Sequence, residues 1–249
     1  MNPASRRADV CAGLRQGVLL GAAVLVLTLP PAGLATRRAA LPLGEPVRML
    51  PAAPMRGADF AGQAASDDAR LLANWVVRSR DNRQLPYAIL DKRDARVFVF
   101  AGDGRLLGAS PVLLGAAPGD DSVAGIGMRP IAKVRPEERT TPAGRFISRP
   151  GRNASGEGVV WVDYDAAVSM HRVRPIDPKE RRLQRLASND PAERRISYGC
   201  INVPVAFFDS VVAPALGSQH GVVYVLPEIK DLGQVFAAAV ASTPNPRQM

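Results

Sequence analysis

Cys200 is the residue of this chain whose type and surroundings most strongly suggest chemistry. It lies in the segment ISYGCIN, residues 196–202, and the chain contains one other cysteine, Cys11. Cys11 falls in an N-terminal stretch with the features of a removable export signal. Thiols of exported proteins usually end in disulfides. A single remaining thiol therefore indicates an intermolecular pair or a reactive nucleophile, and Gly199 before it favours the nucleophile.

The segment that follows Cys200 can activate its thiol. Apolar residues at steps of three and four predict a helix over Pro204–Leu216, with proline in its first turn and Gly217 at its end. A helix N-terminus or a nearby cation lowers the pKa of a thiol, and the thiolate is the reactive form. Consecutive amides around Gly199 are placed to stabilise a developing oxyanion.

A cysteine nucleophile needs a base, and the chain contains only two histidines. His171 ends a predicted strand, whereas His220 lies in a segment with the composition of a surface turn. We therefore select His171. The plainer alternatives are a small buried cysteine and a histidine that only makes structural hydrogen bonds.

Three features together resemble the L,D-transpeptidase catalytic domain of bacterial cell-wall enzymes (YkuD type). They are Thr141-Pro142-x-Gly144-x-Phe146, a strand ending in His171, and the Ser-x-Gly-Cys-hydrophobic-Asn segment that contains Cys200. The similarity covers about Leu85 to Glu228. It implies a mainly β fold, a β-sandwich with a few short helices. It also implies that the cysteine attacks the third residue of a peptidoglycan stem tetrapeptide, releases D-alanine and passes the acyl group to an amine.

The resemblance also implies roles for individual residues. The nucleophile is Cys200 and the general base is His171, with the backbone carbonyl of Arg172 holding the imidazole tautomer. Ser197 braces the loop, and the amides of Tyr198, Gly199 and Cys200 are candidate oxyanion donors. The expected catalytic residues are thus Cys200, His171, Ser197 and Gly199, and the expected substrate-binding residues are Tyr198, Arg172, Arg194, Arg195 and Asn202. No metal or cofactor is implied.

Arg194 and Arg195 are singled out because they precede the nucleophile closely and match the charge of a carboxylate. Asn202 has a simpler interpretation, as the cap of the following helix. Two departures from the family pattern stand out. Histidine is usual where Tyr198 stands, and the stretch between His171 and Ser197 is longer than usual. That insertion, residues 174–195, contains an arginine-rich helix predicted over Pro178–Ser188, which is either a lid, an acceptor-binding wall or a solvated face.

Two other functions remain open at this stage. Water as the acceptor makes the protein an L,D-carboxypeptidase or hydrolase of peptidoglycan or its lipoprotein links. A decayed site makes it a non-catalytic wall-binding module, although the joint presence of Cys200, His171, Ser197 and Gly199 argues against that. The expected partners are peptidoglycan stem peptides and an outer-membrane lipoprotein as a possible acceptor.

The elements that must position these residues are mostly short strands. Arg96-Val97-Phe98-Val99-Phe100 followed by Gly102-Asp103-Gly104 predicts a hairpin, and Val159–Tyr164 with Ala167–Val173 predicts another. Leu71, Leu72, Trp75 and Val76 predict an amphipathic helix over residues 67–80. Strands at this density indicate a β-rich domain.

The N-terminus predicts export. Three arginines precede an uncharged stretch, Val18–Leu29, of twelve residues, and Gly33-Leu34-Ala35 offers small residues to a signal peptidase. A membrane-spanning helix needs about 20 apolar residues. We therefore expect a cleaved signal and a periplasmic or secreted protein. The alternative is that the signal segment is not cleaved and anchors the protein. We expect no contact with the membrane other than through this segment.

The predicted organisation is a signal peptide at 1–35, a flexible lead-in with a short helix at 36–84, the catalytic domain at 85–230 and a C-terminal tail at 231–249. Removal of the signal lowers the net charge from +9 to +7, because three arginines and Asp9 are lost. A basic exported protein is attracted to acidic polymers such as cell wall. Nucleic acid is not an expected partner, because the chain shows neither a binding motif nor an aromatic stripe.

Overall fold

The computed structural model describes residues 57–242, and ten strands form the framework of this part of the chain. The predicted signal peptide and most of the lead-in lie outside the described residues. The strands are β1 (Tyr87–Asp91), β2 (Arg96–Phe100), β3 (Leu106–Pro111), β4 (Leu114–Gly115), β5 (Gly144–Arg152), β6 (Gly158–Asp163), β7 (Val168–Arg172), β8 (Arg195–Ser197), β9 (Ile201–Val203) and β10 (Gly221–Val225). The predicted mainly β fold with a few short helices is confirmed.

Eight of these strands form one large mixed, barrel-like sheet in the order β3-β2-β1-β10-β5-β6-β7-β9, and β4 and β8 form a separate parallel pair. The pairs β1–β10 and β7–β9 are parallel, and the other neighbours are antiparallel. Both predicted hairpins are confirmed, as β2–β3 and β6–β7. The parallel β7–β9 pair matters most for function, because it brings the His171 strand beside the segment that follows Cys200.

Strand β1 is apolar from Tyr87 to Leu90 because both faces of the sheet are covered there. In β1, Ala88 and Leu90 point into one hydrophobic core, while Tyr87 and Ile89 point into another. Successive side chains of a strand point to opposite faces, so an unbroken apolar run is the pattern of a strand buried on both sides. The first core is closed by the helix after the nucleophile loop, and the second by helices from the two ends of the described chain.

The helices are α1 (Asp67–Ser79), α2 (Arg182–Ala187), α3, which consists of Val205–Phe207, a π segment Phe208–Val212 and Ala213–Leu216, α4 (Leu232–Val235) and α5 (Ala237–Ala241). The predicted helix over 67–80 is confirmed as α1. Its N-cap is Ser66, whose hydroxyl accepts the Ala69 amide, and it ends at Arg80 in the left-handed conformation. None of the helices in residues 57–242 combines the length and the apolar character needed to cross a membrane.

The predicted helix over Pro204–Leu216 is confirmed as α3, although it contains Pro214. Proline lacks an amide and crowds the preceding turn of a helix. Here the wider π segment Phe208–Val212 ends just before Ala213 and Pro214, and the helix continues to Leu216. The π segment changes the hydrogen-bonding pattern ahead of the proline, so the helix accommodates it without ending.

Segments on both sides of the predicted catalytic region contribute to the core. Leu72 and Val76 of α1 are fully buried, and Phe236 and Ala239 pack in the same cluster. The functional division at residues 85 and 230 stays a prediction, but the packed core extends beyond both positions.

This packing predicts that α1 is needed for stability. Leu72→Ala should lower the free energy of unfolding by about 2–5 kcal/mol, because it removes a fully buried side chain and leaves a cavity. Arg78→Ala on the exposed side of α1 should change it by about 0.5 kcal/mol or less. Denaturant unfolding of the two variants tests this, and equal stabilities would show that α1 is not part of the cooperative unit.

Candidate active site

Cys200 lies in a tight loop between β8 and β9. Its thiol is free and partly exposed. Gly199 before it has φ +122°, a region that residues with a side chain rarely adopt. A Cβ at this position would also lie 2.7 Å from the carbonyl oxygen of Thr140. Glycine is therefore required for two reasons, the backbone conformation and the close approach of a second chain segment.

Two buried hydroxyl groups hold this loop in place. The Ser197 hydroxyl donates to the carbonyl of Cys200 at 2.6 Å and accepts the amide of Gly199 at 3.1 Å. The Thr141 hydroxyl donates to the carbonyl of Gly199 at 2.9 Å and accepts the amide of Gly115 at 2.9 Å. In the sequence Thr141 is only part of the Thr141-Pro142-x-Gly144-x-Phe146 motif, and its link to the nucleophile loop appears only in the tertiary structure.

His171 is oriented by the backbone of the next residue. Its Nδ1 lies 2.7 Å from the carbonyl oxygen of Arg172. A carbonyl can only accept, so Nδ1 carries the proton and Nε2 is left to accept one. The Arg172 carbonyl thus occupies the position that the resemblance implies. The side chains of His171 and Cys200 interact directly, and this interaction shifts the pKa of both groups.

The two side chains favour a thiolate–imidazolium pair. Burial raises the pKa of the Cys200 thiol, but the hydrogen bond and charge of His171, followed by hydrogen bonds from Ser169, outweigh it and lower the pKa below its ordinary value. Burial lowers the pKa of His171, but the hydrogen bond and charge of Cys200, with the Arg172 carbonyl, outweigh it and raise the pKa. The lower pKa of Cys200 increases its thiolate fraction, and the higher pKa of His171 increases its imidazolium fraction, so each shift favours the charged form.

Ser169 is a site residue that sequence reasoning missed. Its hydroxyl lies 3.8 Å from the Sγ of Cys200, and its side chain is largely buried. The available signal was its spacing, because Ser169 and His171 are two residues apart in β7 and so share a face. When protonated, the thiol can donate to the carbonyl of Ala167, which lies 3.6 Å from Sγ. This carbonyl is an acceptor for the thiol proton other than His171.

Not all of the expected oxyanion donors are available. The amide of Gly199 already donates to the Ser197 hydroxyl, so the expectation that it binds an oxyanion is corrected. The amides of Tyr198 and Cys200 take no part in the hydrogen bonds that close the loop. The ring of Tyr198 lies under the guanidinium of Arg139, 4.1 Å from its centre.

The guanidinium groups expected to bind substrate are bonded within the protein. Arg172 pairs with Asp209 and stacks 4.3 Å over the ring of Phe208. Arg194 donates to the carbonyls of Asp94, Ala95 and Ser188. Arg195 pairs with Glu228 and donates to the carbonyl of Lys92. Neither Arg194 nor Arg195 is a free carboxylate-binding group beside the loop, which corrects that expectation.

Asn202 is fully buried and does not cap the following helix. The N-cap position is Pro204, which makes no side-chain hydrogen bond. The Asn202 side chain instead donates to the carbonyl of Cys200 at 3.2 Å and accepts Nη1 of Arg182 at 2.7 Å. Its role is therefore to connect the nucleophile loop to the arginine-rich insertion.

That insertion packs against the protein and is not a solvated arm. Leu186 of α2 joins a small core with Leu113 and Val173. The Arg182 guanidinium pairs with Glu180 as well as Asn202, and its charge acts to lower the pKa of His171. The insertion therefore covers the sheet at the end where His171 and Asn202 are paired.

A buried ammonium group lies behind the nucleophile loop. Lys92 is fully buried, and its Nζ contacts the carbonyls of Gly119 at 2.6 Å and Thr141 at 2.9 Å and the carboxylate of Asp120 at 2.6 Å. Glu228 lies 3.4 Å from the same Nζ and also pairs with Arg195. The network thus joins the start of β8 to the segment that carries Thr141.

Within residues 57–242 no group of three or more His, Cys, Asp or Glu side chains is arranged to hold a metal ion. The side chains that meet at Cys200 are an oriented imidazole and a serine hydroxyl.

No family model matches the chain, and no curated protein matches it. Solved structures do. An L,D-transpeptidase from Mycobacterium smegmatis is 14% identical over 56% of this chain and 58% of its own, with a TM-score of 0.35. The catalytic domain of an Enterococcus faecium L,D-transpeptidase is 18% identical over 57% of this chain and 98% of its own, with a TM-score of 0.32. The Campylobacter jejuni helical cell shape determining protein Pgp2 (K307A mutant) is 14% identical over 67% of this chain and 58% of its own, with a TM-score of 0.38.

The overlap thus spans a little over half of the Mycobacterium and Campylobacter chains. TM-scores of this size record a partial structural similarity and do not establish a function for this chain.

The pKa shifts predict how Cys200 reacts with pH. Its alkylation by iodoacetamide should have a midpoint below the value of about 8.5 typical of a free thiol, because His171 stabilises the thiolate. His171→Ala should move the midpoint upward, since burial then raises the thiol pKa against the weaker effect of the Ser169 hydrogen bonds alone. Peptide mass spectrometry follows Cys200 separately from Cys11, and His220→Ala serves as the matched control. An unchanged midpoint in His171→Ala would contradict the pairing.

The hydrogen bonds of Thr141 predict a stability difference between two neighbouring threonines. Thr141→Val should lower the free energy of unfolding by about 1–3 kcal/mol, because it leaves the buried Gly115 amide and Gly199 carbonyl without their partner. Thr140→Val, which removes only an exposed bond to Asp121, should cost about 1 kcal/mol or less. Chemical unfolding of both variants tests this. Equal losses of unfolding free energy would show that the Thr141 hydroxyl does not stabilise the nucleophile loop.

Proposed function

We propose that this protein is a cysteine-dependent L,D-transpeptidase that acts on the stem peptides of peptidoglycan. The observation that carries the proposal is the orientation of His171. With its Nδ1 proton held by the Arg172 carbonyl, its Nε2 is free to serve the Cys200 thiol. The Ser-x-Gly-Cys-hydrophobic-Asn segment supplies the reaction type by its resemblance to the L,D-transpeptidase catalytic domain.

In the first half of the reaction the Cys200 thiolate attacks the carbonyl carbon of the third stem residue. The tetrahedral intermediate collapses to a thioester and expels the amine of D-alanine, which takes a proton from His171. The imidazole therefore acts first as base for the thiol and then as acid for the leaving group. Ser169, by its hydrogen bond to Sγ, supports the thiolate before attack.

The oxyanion of that intermediate needs donors beside Sγ. The amides of Tyr198 and Cys200 are the candidates, because that of Gly199 is already bonded to Ser197. Pre-oriented amides stabilise such an oxyanion without reorganising during the reaction. The Ser197 and Thr141 hydroxyls act here as positioning groups that keep the loop in its conformation.

In the second half an acceptor amine attacks the thioester and loses its proton to His171, and Cys200 leaves as the thiol. An amine from another stem produces a 3→3 cross-link, and an amine from an outer-membrane lipoprotein attaches that protein to the wall. Water in place of the amine gives the carboxypeptidase or hydrolase reaction. Both outcomes use the same Cys200–His171 pair and differ only in the acceptor.

This function requires export, so the signal-like segment at residues 1–35 and a periplasmic or secreted location belong to the same proposal. The basic net charge of the chain matches an acidic wall polymer. The catalytic unit is proposed to lie within residues 85–230, with α1 and α5 as packed supports.

The proposal predicts the products formed from purified disaccharide tetrapeptide. Wild-type protein should release D-alanine and form 3→3 dimers, and a carbapenem should add covalently to Cys200. Cys200→Ala should abolish all three results. His171→Ala should lower the rate by about 10²–10⁴-fold, because the proton-transfer group is lost. Chromatography and intact-mass measurement give the readouts, and His220→Ala should retain activity.

The product pattern distinguishes the competing functions. Tripeptide monomer and D-alanine without dimer would identify the hydrolase. Neither D-alanine nor a Cys200 adduct from folded protein with a reduced Cys200 would overturn the enzymatic proposal in favour of a wall-binding module.

A further inference from the structure

A cleft of about 560 Å³ opens on the sheet to one side of the thiol site. Its walls come from β5, β6 and the turn after β6, and include Ile147, Arg149, Gly151, Trp161 and Tyr164. Tyr164 is 75% exposed and Ile147 45% exposed, which is unusual for large apolar side chains. None of these residues takes part in the chemistry described above.

The cleft and the thiol lie on the same face of the sheet. Arg149 in β5 pairs directly with Trp161 in β6, and Trp161 pairs directly with Ser169 in β7. Directly paired residues of antiparallel strands share a face. Met170 pairs with Ile201 in the next strand, so one step back Ser169 stands beside Cys200, with 3.8 Å between Oγ and Sγ.

A single row of side chains therefore runs across the strands from Arg149 through Trp161 and Ser169 to Cys200. The alternate row, with Val160, Met170 and Ile201, is buried in the core beneath. Neighbouring strands are about 4.8 Å apart, so the row is about 14 Å long. An extended peptide advances about 3.5 Å per residue, and about four residues span that length.

The indole of Trp161 reaches towards β5, the strand that carries Arg149. A Cβ on Gly151 would lie 2.5 Å from Cδ1 and 2.6 Å from Nε1 of Trp161, so the ring rests on the bare backbone of β5. The ring of Tyr164 meets the indole edge to face, 5.3 Å between centres. Together the two rings form an apolar surface with an open side.

Arg149 supplies an uncommitted positive charge at the far end of the row. It is exposed, and its guanidinium makes no hydrogen bond or ion pair with any of residues 57–242. Arg152, three residues on and pointing to the opposite face, is by contrast bonded to the carbonyl of Gly156. A free guanidinium beside an apolar floor suits a carboxylate on a peptide better than a neutral sugar, because it pairs with the charge.

We propose that this row is the binding groove for a carboxylate-bearing peptide, with Arg149 pairing with a carboxylate and Trp161 packing on the chain between that carboxylate and the group held at Cys200. The inference rests on the proposed function, since it makes the peptide stem the occupant. Arg149 and Trp161 are then specificity-determining residues, whereas Arg194 and Arg195 are structural.

The test compares two stem tetrapeptides that differ only in whether their side carboxylates are free or amidated. Arg149→Gln should raise KM for the free-carboxylate stem about tenfold, with kcat little changed and with little effect on the amidated stem, because one charge-assisted bond is lost. Trp161→Ala should raise KM for both stems. Arg152→Gln is the matched control and should change neither. Alkylation of Cys200 by iodoacetamide should be equal in all variants, which shows that the thiol is intact.

Binding to Cys200→Ala protein, followed by NMR titration, distinguishes failure of this inference from failure of the proposed function. If wild type turns over stems but Arg149→Gln leaves KM unchanged, the groove is wrong and the function stands. If wild type does not turn over stems, yet the free stem binds Cys200→Ala and this binding is lost on adding Arg149→Gln, the groove stands and the function is wrong. Two results would overturn the proposal that this row binds a peptide. One is preferential binding of a peptide-free glycan fragment, and the other is binding of neither the glycan nor the stem.

Discussion

The ammonium group of Lys92 is the constraint on which the nucleophile loop depends. It is fully buried, and a buried cation is tolerated only when its donors are satisfied and its charge is compensated. Burial acts to raise the pKa of Asp120, but the amide of Lys230 and the ammonium of Lys92, with further amides, lower it to about 2. Because Nζ also binds the carbonyl of Thr141, the segment behind the loop cannot move without exposing these charges.

A series of hydrogen bonds connects Lys92 to the loop that carries the thiol of Cys200. Thr141 holds the carbonyl of Gly199, and Ser197 holds the amide of Gly199 and the carbonyl of Cys200. Each bond uses a buried group that would otherwise be unsatisfied, so the loop has one stable conformation. Gly199 adopts its φ of +122° without steric cost because it has no side chain, and the surrounding network fixes this conformation.

The parallel pairing of β7 with β9 makes the other half of the site. It places His171 beside Asn202 and Ser169 beside Cys200, so base, thiol and hydroxyl meet although they are distant along the chain. The insertion covers the His171 end of this face through Arg182, while the Trp161 end stays open. A single sheet face thus provides a side covered by the insertion at the imidazole and an open side along which a peptide is proposed to lie.

Local pattern was sufficient for the β-rich class, the two hairpins, α1 and α3, because alternation, glycine turns and helical spacing are properties of neighbouring residues. It was also sufficient to identify Cys200, Gly199 and His171 as the candidate residues, since thiol, glycine and imidazole carry their chemistry in their type. The partners of Arg194, Arg195 and Asn202, the brace of Thr141 and the place of Ser169 were decided only by the tertiary structure. Whether an arginine is free or bonded depends on carbonyls and carboxylates up to a hundred residues away, and Glu228, Asp94 and Ala95 meet these arginines only when the sheet closes.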